Sequence, residues 1–393
     1  MTVTFPYGFT AAGISVGLKS SGKPDLALVL NNGAQPQAAA VYTSNRAQAN
    51  PILWSKQADI ANTRAIILNS GSANCFTGQF GYETTKLTAE AVAQQLTQQG
   101  GVVVTAQQVQ VCSTGLIGYG DQAMRDKILG GIPELFKAQS LDDLTAPEAI
   151  LTTDSVTKTA LHESPVGWRI GAMAKGAGML APGLATMLVV ITTDARLTAA
   201  TLQTALRQAC DSTFNCLDSD GCMSTNDQVT LLSSGESDSS VDIAEFTAAL
   251  TKVCDDLAAQ LQADAEGASH SIDIVVTGAK STRDATVVGR ALARNNLFKA
   301  AIYGNDPNWG RVLAAIGTTD ADFDPYQVDV SFNGVRLCSA GAPDRPVQEC
   351  DLSPRRTLVE IALNAAADSG YSAKIRTNDL TKEYVHENSA YSS

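Results

Sequence analysis

KGAGMLAPGLATMLVVITTDA, residues 175–195, falls into two unlike halves. From Lys175 to Ala185 the glycines at 176, 178 and 183 and Pro182 interrupt any regular element, so this half reads as loop. From Thr186 the run TMLVVITT is apolar without alternation, the pattern of a buried strand. Thr186 therefore stands where a glycine-rich loop enters a rigid strand.

Working outward, short aliphatic runs at 26–30, 65–68 and 109–112 also read as strands, and 87–96 and 197–210 as helices. After the acidic loop SSGESDSS at 233–240, Ile243, Phe246, Leu250, Val253, Leu257 and Leu261 recur every three or four residues, which places them on one buried helical face. A strand at 272–276, a single helical segment through 291–301 and the alternating strand QVDVSFNG at 327–334 follow. This mixed order predicts the α/β class, with layered sheets covered by helices. The chain has 393 residues, which favours two lobes over one core.

The composition excludes several classes. A formal net charge of −12 opposes bulk attraction to nucleic acid or to an anionic membrane, and is the charge of a soluble protein. The amino terminus lacks a basic, apolar leader, and Pro182 and Gly183 break the one stretch that resembles a membrane span, so a cytoplasmic location is expected. Eight cysteines without CxxC spacing and three scattered histidines (His162, His270, His386) predict reduced thiols and no metal. With so few histidines, the chemistry is expected to run on other groups.

Thr186 offers such chemistry. Its hydroxyl, held against the Ala185 carbonyl by a loop free to take unusual backbone angles, could attack its own preceding peptide bond. Hydrolysis of the resulting ester would leave Thr186 as a new amino terminus. A terminal amine titrates at roughly 7.7–8 and can take the proton of its own residue's hydroxyl, so no histidine is needed. A nearby Lys175 would push that amine further toward neutrality. On spacing alone the commoner reading is an ordinary loop entering an ordinary strand.

Ordered motifs decide between these readings. KGAGMLAPGLATML resembles the processing motif of the bifunctional glutamate and ornithine N-acetyltransferases of arginine biosynthesis. CSTGLIG at 112–118, LTTD at 151–154, STNDQV at 224–229, DAEGA at 264–268, GNDPNWGR at 304–311 and the terminal ENSAYSS resemble further motifs of that family, in order and nearly end to end. The resemblance implies cleavage between Ala185 and Thr186, giving an alpha fragment, 1–185, and a beta fragment, 186–393. It implies an acetyl group carried on Thr186 from N-acetylornithine to glutamate, and in some members taken from acetyl-CoA. No Gly-rich phosphate cradle for CoA stands out, and no cofactor is expected. It also implies the family's self-processing layered sandwich, and a heterotetramer of two alpha and two beta fragments.

Roles follow by motif match. Thr186 is the expected nucleophile, and Thr114 and Gly115, read as a glycine-bearing turn after a strand, are the oxyanion-hole pair. Lys175 is expected to meet a substrate carboxylate or tune the Thr186 amine, and Glu266 to hold an ammonium. Thr152 and Thr153 both remain candidates for a substrate contact, with Thr153 preferred. Asn388 and Ser393 match the family's terminal pair, so the tail is expected to fold over the site. NCLDSDGCMSTND at 215–227 carries cysteines and Met223 where more polar residues are expected, which would alter acyl preference if it lines the pocket. Two rival readings are a self-processing aminopeptidase-like hydrolase and a non-cleaving amino-acid-binding protein.

Overall fold

The structure, a computed structural model, describes residues 2–100, 103–181, 187–366 and 370–390. Strands in the first part of the chain are β1 (Phe9–Ile14), β2 (Leu26–Asn31), β3 (Gln37–Tyr42), β4 (Ala65–Ser72), β5 (Val109–Leu116), β6 (Lys158–Glu163), β7 (Arg169–Lys175), β8 (Leu188–Thr193) and β9 (Gln228–Ser233). They form one sheet of order β1-β2-β4-β5 and another of order β3-β9-β8-β7-β6. Helices α1 (Asn50–Ser55), α2 (Gly78–Gly100), α3 (Gln122–Lys137) and α4 (Ala146–Ala149) precede β6, and α5 (Ala199–Ser212) and α6 (Ile243–Ala263) flank β9 in sequence.

Side-chain alternation along β8 shows how the layers stack. Leu188 and Val190 join Phe9, Val29, Ile66 and Leu68 in the core between the two sheets. Met187, Val189 and Ile191 point the other way, into a core shared with Leu206 of α5 and Leu250 and Leu257 of α6. The opposite face of the first sheet packs on Val92 of α2 and Ile128 and Leu135 of α3. The result is four layers, helix–sheet–sheet–helix, and it explains why the run MLVVI, 187–191, is apolar without alternation. On α6 the expected stripe is buried from Phe246 onward, but Ile243 is 55% exposed. It sits in the first turn, beside the Asp242 cap that accepts from Glu245 N–H, and overhangs the core.

A second lobe follows. Strands β10 (Ser271–Ala279), β11 (Asp329–Phe332), β12 (Val335–Ser339), β13 (Ala342–Pro343), β14 (Arg356–Ala362) and β15 (Tyr371–Asn378) form a sheet of order β13-β12-β11-β14-β10-β15. Its core is shared with α7 (Thr282–Ala293), α8 (Asn296–Tyr303) and α9 (Trp309–Ile316). The single helix expected over 291–301 is two, because Asn295 leaves helical angles and accepts from Phe298 N–H at 2.9 Å to start α8. The final helix, α10 (Lys382–Ala390), returns to the first lobe at Gly267 and Glu266.

The lobes meet near residue 270, whereas segments 1–185 and 186–393 interleave. In the central sheet, β3 pairs antiparallel with β9 and β7 pairs antiparallel with β8. Among the described residues no helix is long and apolar enough to cross a membrane.

Candidate functional site

Thr114 and Gly115 lie within β5, not in a turn after it. Gly115 pairs with Gly71 of β4 at φ +127°, and a Cβ there would stand 2.5 Å from the Gly71 carbonyl carbon. Only glycine lets the two strands close at this point. Thr114 is buried beside it.

Lys175 likewise ends a strand instead of opening a loop. It is the last residue of β7 and pairs across the ladder with Leu188, the second residue after Thr186. Its buried ammonium donates to Thr152 Oγ1 at 2.8 Å and Thr114 Oγ1 at 3.3 Å, and lies 3.7 Å from an Asp154 carboxylate oxygen. Burial pushes the Lys175 pKa down, and Asp154 opposes that shift. Thr186, Ala185 and Ser393 lie outside the described residues.

Both flanks of that segment are tied. Ser219 N–H donates to Leu180 O at 2.6 Å, and Met187 N–H donates to Asp227 Oδ1 at 3.0 Å. Asp227 is fully buried, and its other oxygen has no hydrogen-bond partner among the described residues. Burial pushes its carboxyl well above the usual range, outweighing the Met187 N–H and the Lys175 charge.

Asp154 organises the middle of the site. It accepts from Gly176 N–H at 2.6 Å and pairs with the buried Lys158 at 2.7 Å. Lys158 also reaches Asp264 at 2.5 Å. Burial alone would raise the Asp154 pKa, but Lys175 and Lys158 together hold it at about 2.

The two candidate threonines separate here. Thr152 takes the Lys175 ammonium, while Thr153 Oγ1 donates to Glu266 Oε1 at 2.7 Å. Glu266 Oε2 accepts from Asn388 Nδ2 of α10 at 3.1 Å. Gly178 lies beneath it, where a Cβ would fall 2.5 Å from the Glu266 carboxylate and displace it. Thr153, Glu266, His386, Glu387, Asn388 and Ala390 line a cavity of about 380 Å³. None of these comes from 215–227; Met223 of that segment faces Ser44 and Asn45 instead. Among the described residues no group of three or more His, Cys, Asp or Glu is arranged to hold a metal ion.

Nothing in the sequence alone marks the roles of Asp154, Asp227, Lys158 and Asp264. Asp154, Asp227 and Asp264 stand inside LTTD, STNDQV and DAEGA, so the motifs are visible in the sequence while these roles are not. Apart from the Asp154–Lys158 pair, four residues apart, the partners described above lie about 20 to about 110 residues away in the chain.

The arrangement can be set against known proteins. The model of the ArgJ family matches residues 10–393. A protein of Thermobifida fusca named arginine biosynthesis bifunctional protein ArgJ is 50% identical over 394 residues, covering 100% of each chain. This chain belongs to the ArgJ family. Another ArgJ relative, from Streptomyces avermitilis and of the same name, is 51% identical over 395 residues, again over 100% of both. Among solved ArgJ-like structures, an ornithine acetyltransferase of Mycobacterium tuberculosis in complex with ornithine is 44% identical, covering 48% of this chain and 96% of that one, with a TM-score of 0.44.

Proposed function

We propose that this ArgJ-family enzyme moves an acetyl group from N-acetylornithine to glutamate through an ester on Thr186, after cleaving itself between Ala185 and Thr186. The observation that carries the reading is the Lys175–Leu188 ladder pair, because it holds Lys175, Thr114 and Thr152 beside the entry to β8, where Thr186 immediately precedes Met187. In the first half-reaction the Thr186 hydroxyl attacks the acetyl carbonyl and its proton passes to the Thr186 amine. Negative charge builds on the carbonyl oxygen, and Thr114 and Gly115 are the donors proposed to meet it. Ornithine leaves with the proton. Glutamate then attacks the ester and takes the acetyl group, and Thr186 is regenerated.

Glu266, with Thr153 and Asn388 holding its two oxygens, is the acid proposed to face the substrate ammonium. Acetyl-CoA is a second acetyl donor in this reading, and no cofactor is needed. The fragments 1–185 and 186–393 stay together and pair into a heterotetramer, with Asn388 and Ser393 as further substrate contacts. The enzyme works in the cytoplasm on free amino acids.

Intact mass and amino-terminal sequencing of the purified protein test the first step: two fragments, the second beginning Thr-Met-Leu, are expected. After brief exposure to N-acetylornithine and an acid quench, the second fragment should gain the mass of one acetyl group. Glutamate should discharge it faster than water does. Discharge by water alone would replace acetyl transfer with hydrolysis.

A further inference from the structure

Of the two roles open to Lys175, meeting a substrate carboxylate or tuning the Thr186 amine, its burial and its contacts with Thr114, Thr152 and Asp154 favour the second. A second lysine stands beside it. The loop between β1 and β2 is clamped by the fully buried Asp25, which accepts from Val16 N–H at 2.7 Å, Leu18 N–H at 2.6 Å and Lys19 N–H at 3.1 Å. The clamp lays Leu18 on Gly71, where a Cβ would stand 3.1 Å from Leu18 O. Gly71 is the residue that closes against Gly115. From there Lys19 reaches across and donates from Nζ to Leu151 O at 3.1 Å, one residue before Thr152.

Lys19 is half-buried, and no carboxylate lies within 4.0 Å of its ammonium among the described residues. Burial lowers its pKa, and Asp25 and Asp154 act against that shift. An ammonium has three donors, and one of these is used on Leu151. A partly desolvated cation with spare donors and, among the described residues, no carboxylate in contact is poised for an anionic ligand. Leu151 lies two residues before Thr153, whose hydroxyl holds the Glu266 carboxylate, so one short loop carries contacts to both charges.

We infer that Lys19 binds the α-carboxylate of the amino-acid substrate, the group N-acetylornithine and glutamate share. The inference rests on the acetyl-transfer reading above. The positions of Lys19 and Glu266 then make the site dipolar, matched to a substrate with a carboxylate at one end and an ammonium at the other.

The test compares N-acetylornithine with its α-carboxamide as acetyl donors to glutamate, in the unaltered enzyme and in Lys19→Met and Lys19→Arg. One charge-assisted contact predicts that Lys19→Met raises KM for the acid about 10- to 100-fold, leaves kcat within about threefold, and leaves the amide nearly unaffected. Lys19→Arg should restore most of the acid preference. A Lys19→Met enzyme that is self-cleaved, folded and as selective for acid over amide as the parent overturns the assignment. If Lys19→Met does not accumulate, Lys19→Gln takes its place. Failing both, equal turnover of acid and amide by the unaltered enzyme overturns it, and a strong acid preference sustains it. Absence of any acetyl transfer by the unaltered enzyme would instead strike the proposed function, and it is read before any variant is made.

Discussion

Asp227 holds Met187: a buried carboxyl oxygen takes the backbone N–H of the residue that follows Thr186, at 3.0 Å. The start of β8 is therefore fixed by a side chain and not by the sheet alone. Because the native pKa of Asp227 is raised, it stabilises the fold at low pH, and that contribution is lost as pH rises from the unfolded value of about 4 through the native one. Asp227→Asn mimics the protonated acid and keeps an oxygen for Met187. Urea midpoints measured from pH 4 to pH 8 should show the variant gaining on the parent as pH increases. A difference that stays flat would mean that Asp227 titrates normally.

Asp154 should produce the opposite slope. Its native pKa of about 2 lies below the ordinary 3.8, so its contribution is present above pH 4 and disappears as pH falls toward 2. The shift corresponds to roughly 2 kcal/mol. Asp154→Asn should lower stability near neutrality and flatten the acid limb of the denaturation profile. Retention of the parent's acid limb would count against the Lys158–Asp154–Lys175 account.

Lys158 and Lys175 should differ when removed. Lys158→Met leaves Asp154 and Asp264 without the cation they share, and losing a buried partner typically costs about 3–5 kcal/mol. Lys175→Met leaves Asp154 still paired to Lys158, so the stability loss should be smaller. Acetyl transfer, in contrast, should fall at least about 100-fold in Lys175→Met, the loss typical of one group acting at a transition state. Denaturant titration and initial rates on both variants check the two halves of this expectation.

Gly267 seats α10. A Cβ would lie 2.2 Å from Tyr384 N, and Thr381 Oγ1 donates to Gly267 O at 2.6 Å. Gly267→Ala should push the helix off and break the Asn388–Glu266 contact. We expect KM for N-acetylornithine to rise about tenfold, as for one lost hydrogen bond to a charged group, with self-cleavage unchanged. A parental KM in a folded Gly267→Ala enzyme would show that α10 is dispensable to the site.

What could be read from the chain depended on whether the governing contacts were local. β8 was legible because layers on both faces bury every position and leave its first four residues all aliphatic, and α6 because one face repeats. Thr114–Gly115 looked like a turn because Ser, Thr and Gly are turn residues; that a glycine sits in mid-strand to meet Gly71 is a contact between residues far apart in sequence. Lys175 looked like a loop residue because a buried lysine is tolerated only with partners, and Thr114, Thr152 and Asp154 come from other elements. The break between α7 and α8 had a local signal in Asn295, which a stripe of apolar residues on either side obscured. Lys19 had none, since only the Asp25 clamp brings it to Leu151.

The central sheet has two seams between segments 1–185 and 186–393, β3 against β9 and β7 against β8, each six residue pairs long. On the proposed cut after residue 185, the two fragments would stay joined along these seams but could no longer refold by the route the single chain takes. Before the cut, both seams close within one molecule; afterwards, each closes only when two separate polypeptides meet. Refolding of the processed enzyme should therefore slow as it is diluted, whereas an uncleavable chain should refold at a rate independent of concentration. On that cleavage, assembly would happen once, in one piece, and the product would carry a fold that its own halves must find each other to rebuild.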